Sequence, residues 1–242
     1  MHLQSEEAYA HIEQALQKLS LCQTLALEID LGEGDPVADQ QAALLPGGKR
    51  LQDLITAKKY AKLDRMVRKT TGLRLARFDR LLPILTANLL VASFQPARFP
   101  QPLDHYLWQQ AQDRNLPIVG LERSDGQAQL LQSISMQEQI QELLSFGRNV
   151  SAARRRLFKL SSLYAQGDAS GLYQAIRRSN GGQRQSVLLR RNHTLSEALL
   201  PYLWQGSIFC AVGAGHLSGK YGMPALLSRA GFRVALLPPQ LK

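Results

Sequence analysis

The sequence predicts an α/β fold: a mixed, largely parallel central sheet flanked by helices, with a large helical middle insertion. Three observations carry this expectation. Ser207 to Val212 is a short, apolar, partly β-branched run that breaks into Gly213-Ala214-Gly215-His216, the pattern of a strand covered on both faces. Thr24 to Ile29 and Pro117 to Leu121 are runs of the same kind, each delivering a carboxylate, Glu28 and Glu122, at its end. Segments of helical period alternate with these runs at both ends of the chain, which indicates a parallel or mixed sheet.

In chain order, Ser5 followed by Glu6 and Glu7 is a helix start, and Ala8, Ile12, Ala15, Leu16 and Leu19 continue at helical spacing. The first strand follows and ends in Glu28 and Asp30. A buried charge is costly without a partner, so one of the two is expected to meet a cation, a histidine or backbone amides. Residues 32–49 are loop-rich, punctuated by Gly32, Gly34, Pro36, Pro46, Gly47 and Gly48 around one short helix. Helices are predicted over 51–70 and 78–92, the second interrupted by Pro83. Pro96, Pro100 and Pro102 mark a linker, a helix covers 104–115, and the second strand leads to Glu122. From Asp125 the chain reads as helical through Leu143, again over 151–165 and in a short stretch to Arg178, with Arg154, Arg155 and Arg156 as a surface cluster. Ser179 to Gly182 is a loop, and 194–204 a helix entered through Asn192. The third strand begins at Ser207, where Gly213 and Gly215 let the backbone turn sharply. A helix near 221–230, capped by Gly231, precedes a last strand at 232–236. One domain over 1–242 is expected, with 51–95 and 125–204 as a mainly helical cover or lid.

The chain of 242 residues can bury one substantial core. Its 45% hydrophobic and 20% charged residues are those of an ordinary globular protein, and no run approaches the roughly 18 apolar residues of a membrane span. Cys22 and Cys210 give neither a disulfide framework nor a metal-binding spacing. Compartment is unknown from the sequence. The formal charge of +10 points to acidic partners. Its sharpest element is the stripe of Lys58, Lys62, Arg65 and Lys69 at i, i+4, i+7 and i+11, beside an apolar stripe of Tyr60, Leu63 and Val67. Such a helix suits either plain solvation or contact with an anionic surface. Aromatic residues do not interleave its basic ones as a stacking platform requires, so no specific nucleic acid is expected.

The turn after the third strand invites two wrong assignments. A phosphate-binding P-loop needs glycine at Ala214 and Ser or Thr at Tyr221; a dinucleotide fingerprint from Gly213 needs glycine or alanine at Ser218. Both fail. What remains is a histidine at a strand's carboxyl end, where open α/β sheets place their ligands. Glu28, Glu122 and His216 are expected to converge there.

The residues Leu103-Asp104-His105-Tyr106-Leu107, Pro117 to Glu122 with Gln127, Arg191-Asn192, Gly213 to Gly219 with Gly222, and Gly231-Phe232-Arg233-Val234 resemble, in order, the TraB/GumN family, which also includes the TIKI metalloproteases. The second Gly-x-x-His motif of that family matches Gly213 to His216 in full. Of the first motif, His2 has a counterpart, but its Gly, its Thr and the preceding strand have none, so an N-terminally truncated domain is expected. The resemblance implies a metal-dependent hydrolase of peptide or ester bonds. It implies His2, Glu28, Glu122 and His216 around a divalent Mn, Co or Zn ion, with Glu28, Glu122, Arg191 and His216 as the catalytic set. Arg191 would stabilise an oxyanion or pair with a carboxylate, and Asp104, Asn192, Gly213 and Gly215 would support the others. The alternatives are a binding module that holds a peptide, haem or metal ligand in the same pocket without turnover, or an inactive truncated copy. A missing upstream signal would imply an extracytoplasmic, periplasmic or membrane-anchored location, and its absence a cytoplasmic one.

Overall fold

The structure is a computed structural model that describes residues 4–123, 134–179 and 182–237, with the backbone alone at 178–179 and 182–187. In chain order the described elements are α1 (Ile12–Leu19), β1 (Thr24–Ile29), α2 (Pro36–Ala42), α3 (Leu51–Leu54), α4 (Ala57–Thr71), α5 (Pro83–Ala92), α6 (Leu103–Gln112), β2 (Ile118–Glu122), α7 (Met136–Arg148), α8 (Val150–Ala165), α9 (Ala169–Ser179), α10 (Gly182–Leu203), β3 (Ile208–Ala211) and α11 (Met223–Arg229). The fold is α/β. Two compact units emerge, one of Gly34–Pro96 with Ser124–Lys159, the other of His2–Glu33, Ala97–Arg123 and Leu160–Lys242. The long helical middle therefore divides between them at Lys159.

The second unit holds the sheet. Its order is β2-β1-β3 and both pairings are parallel, with Ile29 opposite Glu122 and Leu27 opposite Ala211. β1 is central, and Leu25, Ala26 and Leu27 are buried, as expected of a strand covered on both faces. One face packs Leu19, Leu107 and Ala111 against Leu25 and Leu27. The other packs Leu195, Leu199 and Met223 against Ala26 and Leu121. Three parallel strands present their carboxyl ends to the same edge, so Glu28, Glu122 and the turn after β3 come to one place.

The first unit is helical, built on a core of Leu63, Val67, Leu75, Leu90, Leu143 and Phe146 among others. Its helices begin where the sequence supplies caps. The Asp35 carboxylate accepts from the Val37 and Ala38 N–H groups, Thr56 accepts from Lys59, and Ser135 with Glu138 forms a capping box. Leu63 and Val67 of α4 are 2% and 0% exposed, so the helix spends its apolar stripe on this core. Lys58, Lys62, Arg65 and Lys69 are left in solvent.

Several elements differ from expectation. Ser5 caps nothing: its hydroxyl is buried without a partner among the described residues, and α-helix begins only at Ile12. The predicted helix at 51–70 is two, parted at Ile55 and Thr56, both extended. Pro83 opens α5 instead of interrupting it, because the first turn needs no N–H partner there. α10 runs unbroken through Asn192, whose side chain is engaged elsewhere and does not compete with its own backbone. Residues 232–236 form no strand. Phe232 packs its ring on Trp204 at 4.9 Å, while Val234 and Leu236 are exposed without a ladder partner. The expected helix between Asp125 and Leu143 is seen from Met136; its earlier part, with Gln127, lies outside the described residues, as do Asn180 and Gly181 of the expected loop.

Candidate functional site

Glu28 is the penultimate residue of β1 and Glu122 the last of β2. α10 crosses β2 and brings Arg191 to both. The guanidinium grips Glu122 in a fork, Nε donating to Oε1 at 3.0 Å and Nη2 to Oε2 at 2.7 Å, while Nη2 also donates to Glu28 Oε2 at 2.7 Å. Paired geometry of this kind is what a planar guanidinium offers and an ammonium does not. Of the two roles the resemblance allowed Arg191, the geometry places it on the carboxylates.

The other oxygen of Glu28 faces β3. Oε1 accepts the Gly213 N–H at 2.6 Å and lies 3.7 Å from His216 Nε2. Gly213 has an ordinary φ of −56°, so backbone freedom is not its purpose, contrary to expectation. A Cβ there would fall 3.1 Å from Glu28 Oε1, so the glycine serves the close approach of the carboxylate to its amide. His216 closes a short 3-10 turn, Ala214–His216, and is 4% exposed.

Asn192 fixes the imidazole. Its Nδ2 donates to the Tyr221 carbonyl at 2.6 Å, which turns Oδ1 toward His216 Nδ1 at 2.5 Å. An amide oxygen only accepts, so Nδ1 carries the proton and, in the neutral ring, Nε2 carries the lone pair. Burial pushes the His216 pKa below its ordinary value and the Arg191 charge adds to this, against the opposing pull of Glu28 and Glu122. The ring is neutral at pH 7. Burial alone would raise the Glu28 carboxyl, but the Gly213 amide, His216 and Arg191 outweigh it and hold the pKa below the usual value. Two lone-pair atoms, Nε2 and Oε1, thus face each other across a gap too long for a hydrogen bond.

The remaining expected residues are placed as follows. His2 lies outside the described residues. Asp104 stands in the first turn of α6, and its charge acts on the Tyr9 phenol, whose pKa is raised first by burial and then by Tyr106 and Asp104. Gly215 packs beneath α9, a Cβ there lying 3.6 Å from Ile176. Asp30, left open by the sequence, accepts from Trp108 Nε1 and the Gly32 N–H, both at 2.9 Å. Trp108 was not foreseen, and only its helical phase on α6 beside Leu107 hinted at it. The Cys210 thiol is pushed up to about 12 by burial and the Glu28 charge, so it is no nucleophile at neutral pH.

For a metal ion, the donor chemistry fits in part. His216 and Glu28 offer one nitrogen and one oxygen 3.7 Å apart, with the imidazole's far N–H held as liganding histidines require. Both Glu122 oxygens are taken by Arg191, and no cluster of three or more His, Cys, Asp or Glu able to hold a metal occurs among the described residues.

No curated protein and no solved structure matches the chain. Its sequence does match the TraB/PrgY/gumN family over residues 1–235, the stretch that contains both sheet-edge carboxylates, Arg191, Asn192 and His216. The chain belongs to the TraB/PrgY/gumN family.

Proposed function

We propose that the chain is a hydrolase of the TraB/GumN type that cleaves peptide or ester bonds with a divalent metal ion. The observation that carries it is the 3.7 Å gap between His216 Nε2 and Glu28 Oε1. A neutral imidazole and an ionised carboxylate meet there with lone pairs, and only a cation or a donating water between them relieves the repulsion. His216 and Glu28 would hold the ion; Mn, Co and Zn all accept such N/O ligands. Bound there, it would lower the pKa of a water and polarise a carbonyl.

The chain's own groups have separate tasks. Asn192 fixes the tautomer and plane of His216. Arg191 helps keep Glu28 ionised beside a second carboxylate, which like charges resist without a cation. Its guanidinium already satisfies two carboxylates and the Gly213 N–H is held by Glu28, so the Ala214 and Gly215 amides of the turn, and not Arg191, are the place for a developing oxyanion. The depressed pKa of Glu28 makes it a weak base and suits it to holding a cation. A histidine in the unprotonated state is the better acceptor for a water proton where no ion occupies the gap.

The test is product formation by mass spectrometry from peptide and ester panels, with Mn, Co or Zn supplied or chelated. At least about tenfold more product with one of the ions is expected. Ion-independent product would leave a histidine–glutamate hydrolase without metal. Saturable ligand binding with no product at long incubation would sink the hydrolase in favour of a binding module.

The solvent-facing lysines of α4 favour a second, weaker contact with an anionic surface. Because the apolar stripe of this helix is buried in its own unit, the contact is electrostatic, without insertion into a lipid layer. Binding to anionic vesicles should fall steeply with added salt, and reversing Lys58, Lys62 and Arg65 to glutamate should weaken it at least about tenfold. Salt-insensitive binding would refute the contact.

A further inference from the structure

α9 carries Ser170, Tyr173, Gln174 and Arg177 at i, i+3, i+4 and i+7, one face of the helix. Opposite that face runs the continuation of the His216 turn, Ser218 and Gly219. The six residues line a cavity of about 340 Å³, the size of a pocket for a side chain or a small ligand.

The cavity walls are fixed. Ser218 Oγ donates to the Ala169 carbonyl at 3.0 Å, tying the turn to the start of α9. Gly219 has a φ of +87°, and a Cβ there would fall 2.5 Å from Tyr173 Cζ. The phenol ring therefore lies directly on the glycine backbone, and no other residue fits that position without displacing it.

The lining offers donors: the Ser170 hydroxyl, a phenol, a carboxamide and a guanidinium, the Ser218 hydroxyl being spent on Ala169. None of the six residues is acidic. Arg177 is exposed and makes no hydrogen bond or ion pair among the described residues. The neighbouring Asp168 is committed at the start of α9, where Oδ1 accepts the Gly171 N–H at 2.8 Å. An uncommitted guanidinium in a donor-lined cavity is matched by a carboxylate, which it grips through two parallel hydrogen bonds.

We infer that this cavity receives a carboxylate of the substrate, so that the preferred peptides carry an acidic side chain or a free carboxyl terminus close to the bond cleaved. The inference rests on the hydrolase reading of the sheet-edge site and adds its selectivity: Ser218 is two residues from His216, so one turn serves both the reacting group and the anchor.

The experiment is calorimetric binding, with product analysis, of short N-acetylated peptides on the full chain. Each peptide ends in a free carboxylate or carries glutamate, and has an amidated or glutamine twin. Inorganic phosphate is a separate probe. The acid forms are expected to bind about tenfold or more tightly than their twins, and Arg177→Gln should abolish that preference without altering the circular dichroism. His216→Ala should keep the preference while losing turnover. If no variant yields product and the preference persists, the hydrolase fails and the carboxylate pocket stands. Equal kcat/KM for acid and neutral twins, unchanged in Arg177→Gln, overturns the pocket and leaves the hydrolase intact. Phosphate binding without any preference among peptides also overturns it.

Discussion

Replacing His216 by alanine is expected to lower kcat/KM for hydrolysis by about 10³-fold or more, in the range lost when a positioned acid–base group or a metal ligand is removed. The substitution takes away the only ring nitrogen that the described structure presents to Glu28, and leaves the Arg191 clamp untouched. Asn192→Leu is the informative companion. It preserves the imidazole but removes the acceptor for its Nδ1–H, so the ring can turn or change tautomer, and a smaller loss of about 10- to 100-fold follows. Steady-state kinetics on the two variants, with circular dichroism to show that the fold persists, check both. Unchanged turnover in the alanine variant would remove His216 from the chemistry. The wild-type rate should also fall on the acid side as the imidazole protonates, below the ordinary histidine value because burial depresses the pKa.

The largest effect on stability is expected from Arg191→Met. Glu28 and Glu122 would then stand together without the cation that holds them, and removing one partner of a buried ion pair leaves an uncompensated charge. A fully buried pair broken in this way costs roughly 3–5 kcal/mol. The Arg191 side chain keeps 20% of its surface in water and Glu28 22%, so a loss of about 2–3 kcal/mol is expected after solvent screening. That corresponds to a Tm lower by about 4–12 °C, measurable by calorimetry. Adding Glu122→Gln to Arg191→Met removes one of the stranded charges and should recover a large part of the loss. A Tm unchanged in the single variant would show that the clamp contributes nothing to stability.

The pH dependence follows from the same clamp. The folded pKa of Glu28 lies below its unfolded value of 4.5, so its contribution is fully present above 4.5 and is lost as pH falls through the folded value. Arg191→Met weakens that depression, so it should flatten the acid limb of the stability profile below pH 4.5, with the variant's deficit largest at neutral pH and shrinking as the carboxylates protonate. His216 acts in the same direction at milder acidity. With a folded pKa below 6.5, the unfolded chain takes up the proton first, and stability declines from pH 6.5 downward through the folded value. His216→Gln should flatten that part of the profile.

How much of this was legible beforehand depended on how local the cause was. Short apolar runs ending in a carboxylate or a Gly-x-x-His turn identified β1, β2, β3 and the shared edge, because strand burial and strand length are written in neighbouring residues. Arg191 was legible as an oxyanion stabiliser or a carboxylate's partner, but not as the clamp on both Glu28 and Glu122, since these lie 163 and 69 residues away. The helical phase of Trp108 hinted that it faces inward, but nothing local pointed to Asp30, 78 residues away, as its partner. Asn192 was misread as a helix entrance for a related reason: asparagine competes with helix backbone only when its side chain is idle, and here Tyr221 and His216 occupy it. Residues 232–236 have the composition of a strand, but composition cannot supply the neighbouring ladder that makes one.

Placing β1 in the middle of the sheet has a kinetic consequence. Glu28 meets the Gly213 amide across 185 residues of chain and Arg191 across 163. None of these contacts can form until both parallel pairings have closed their loops, and closure over such separations is what makes folding slow. The His216–Glu28 gap is therefore complete only once the longest-range pairings of the unit have closed. Activity or ion binding would report completed sheet assembly more stringently than any measure of helix content.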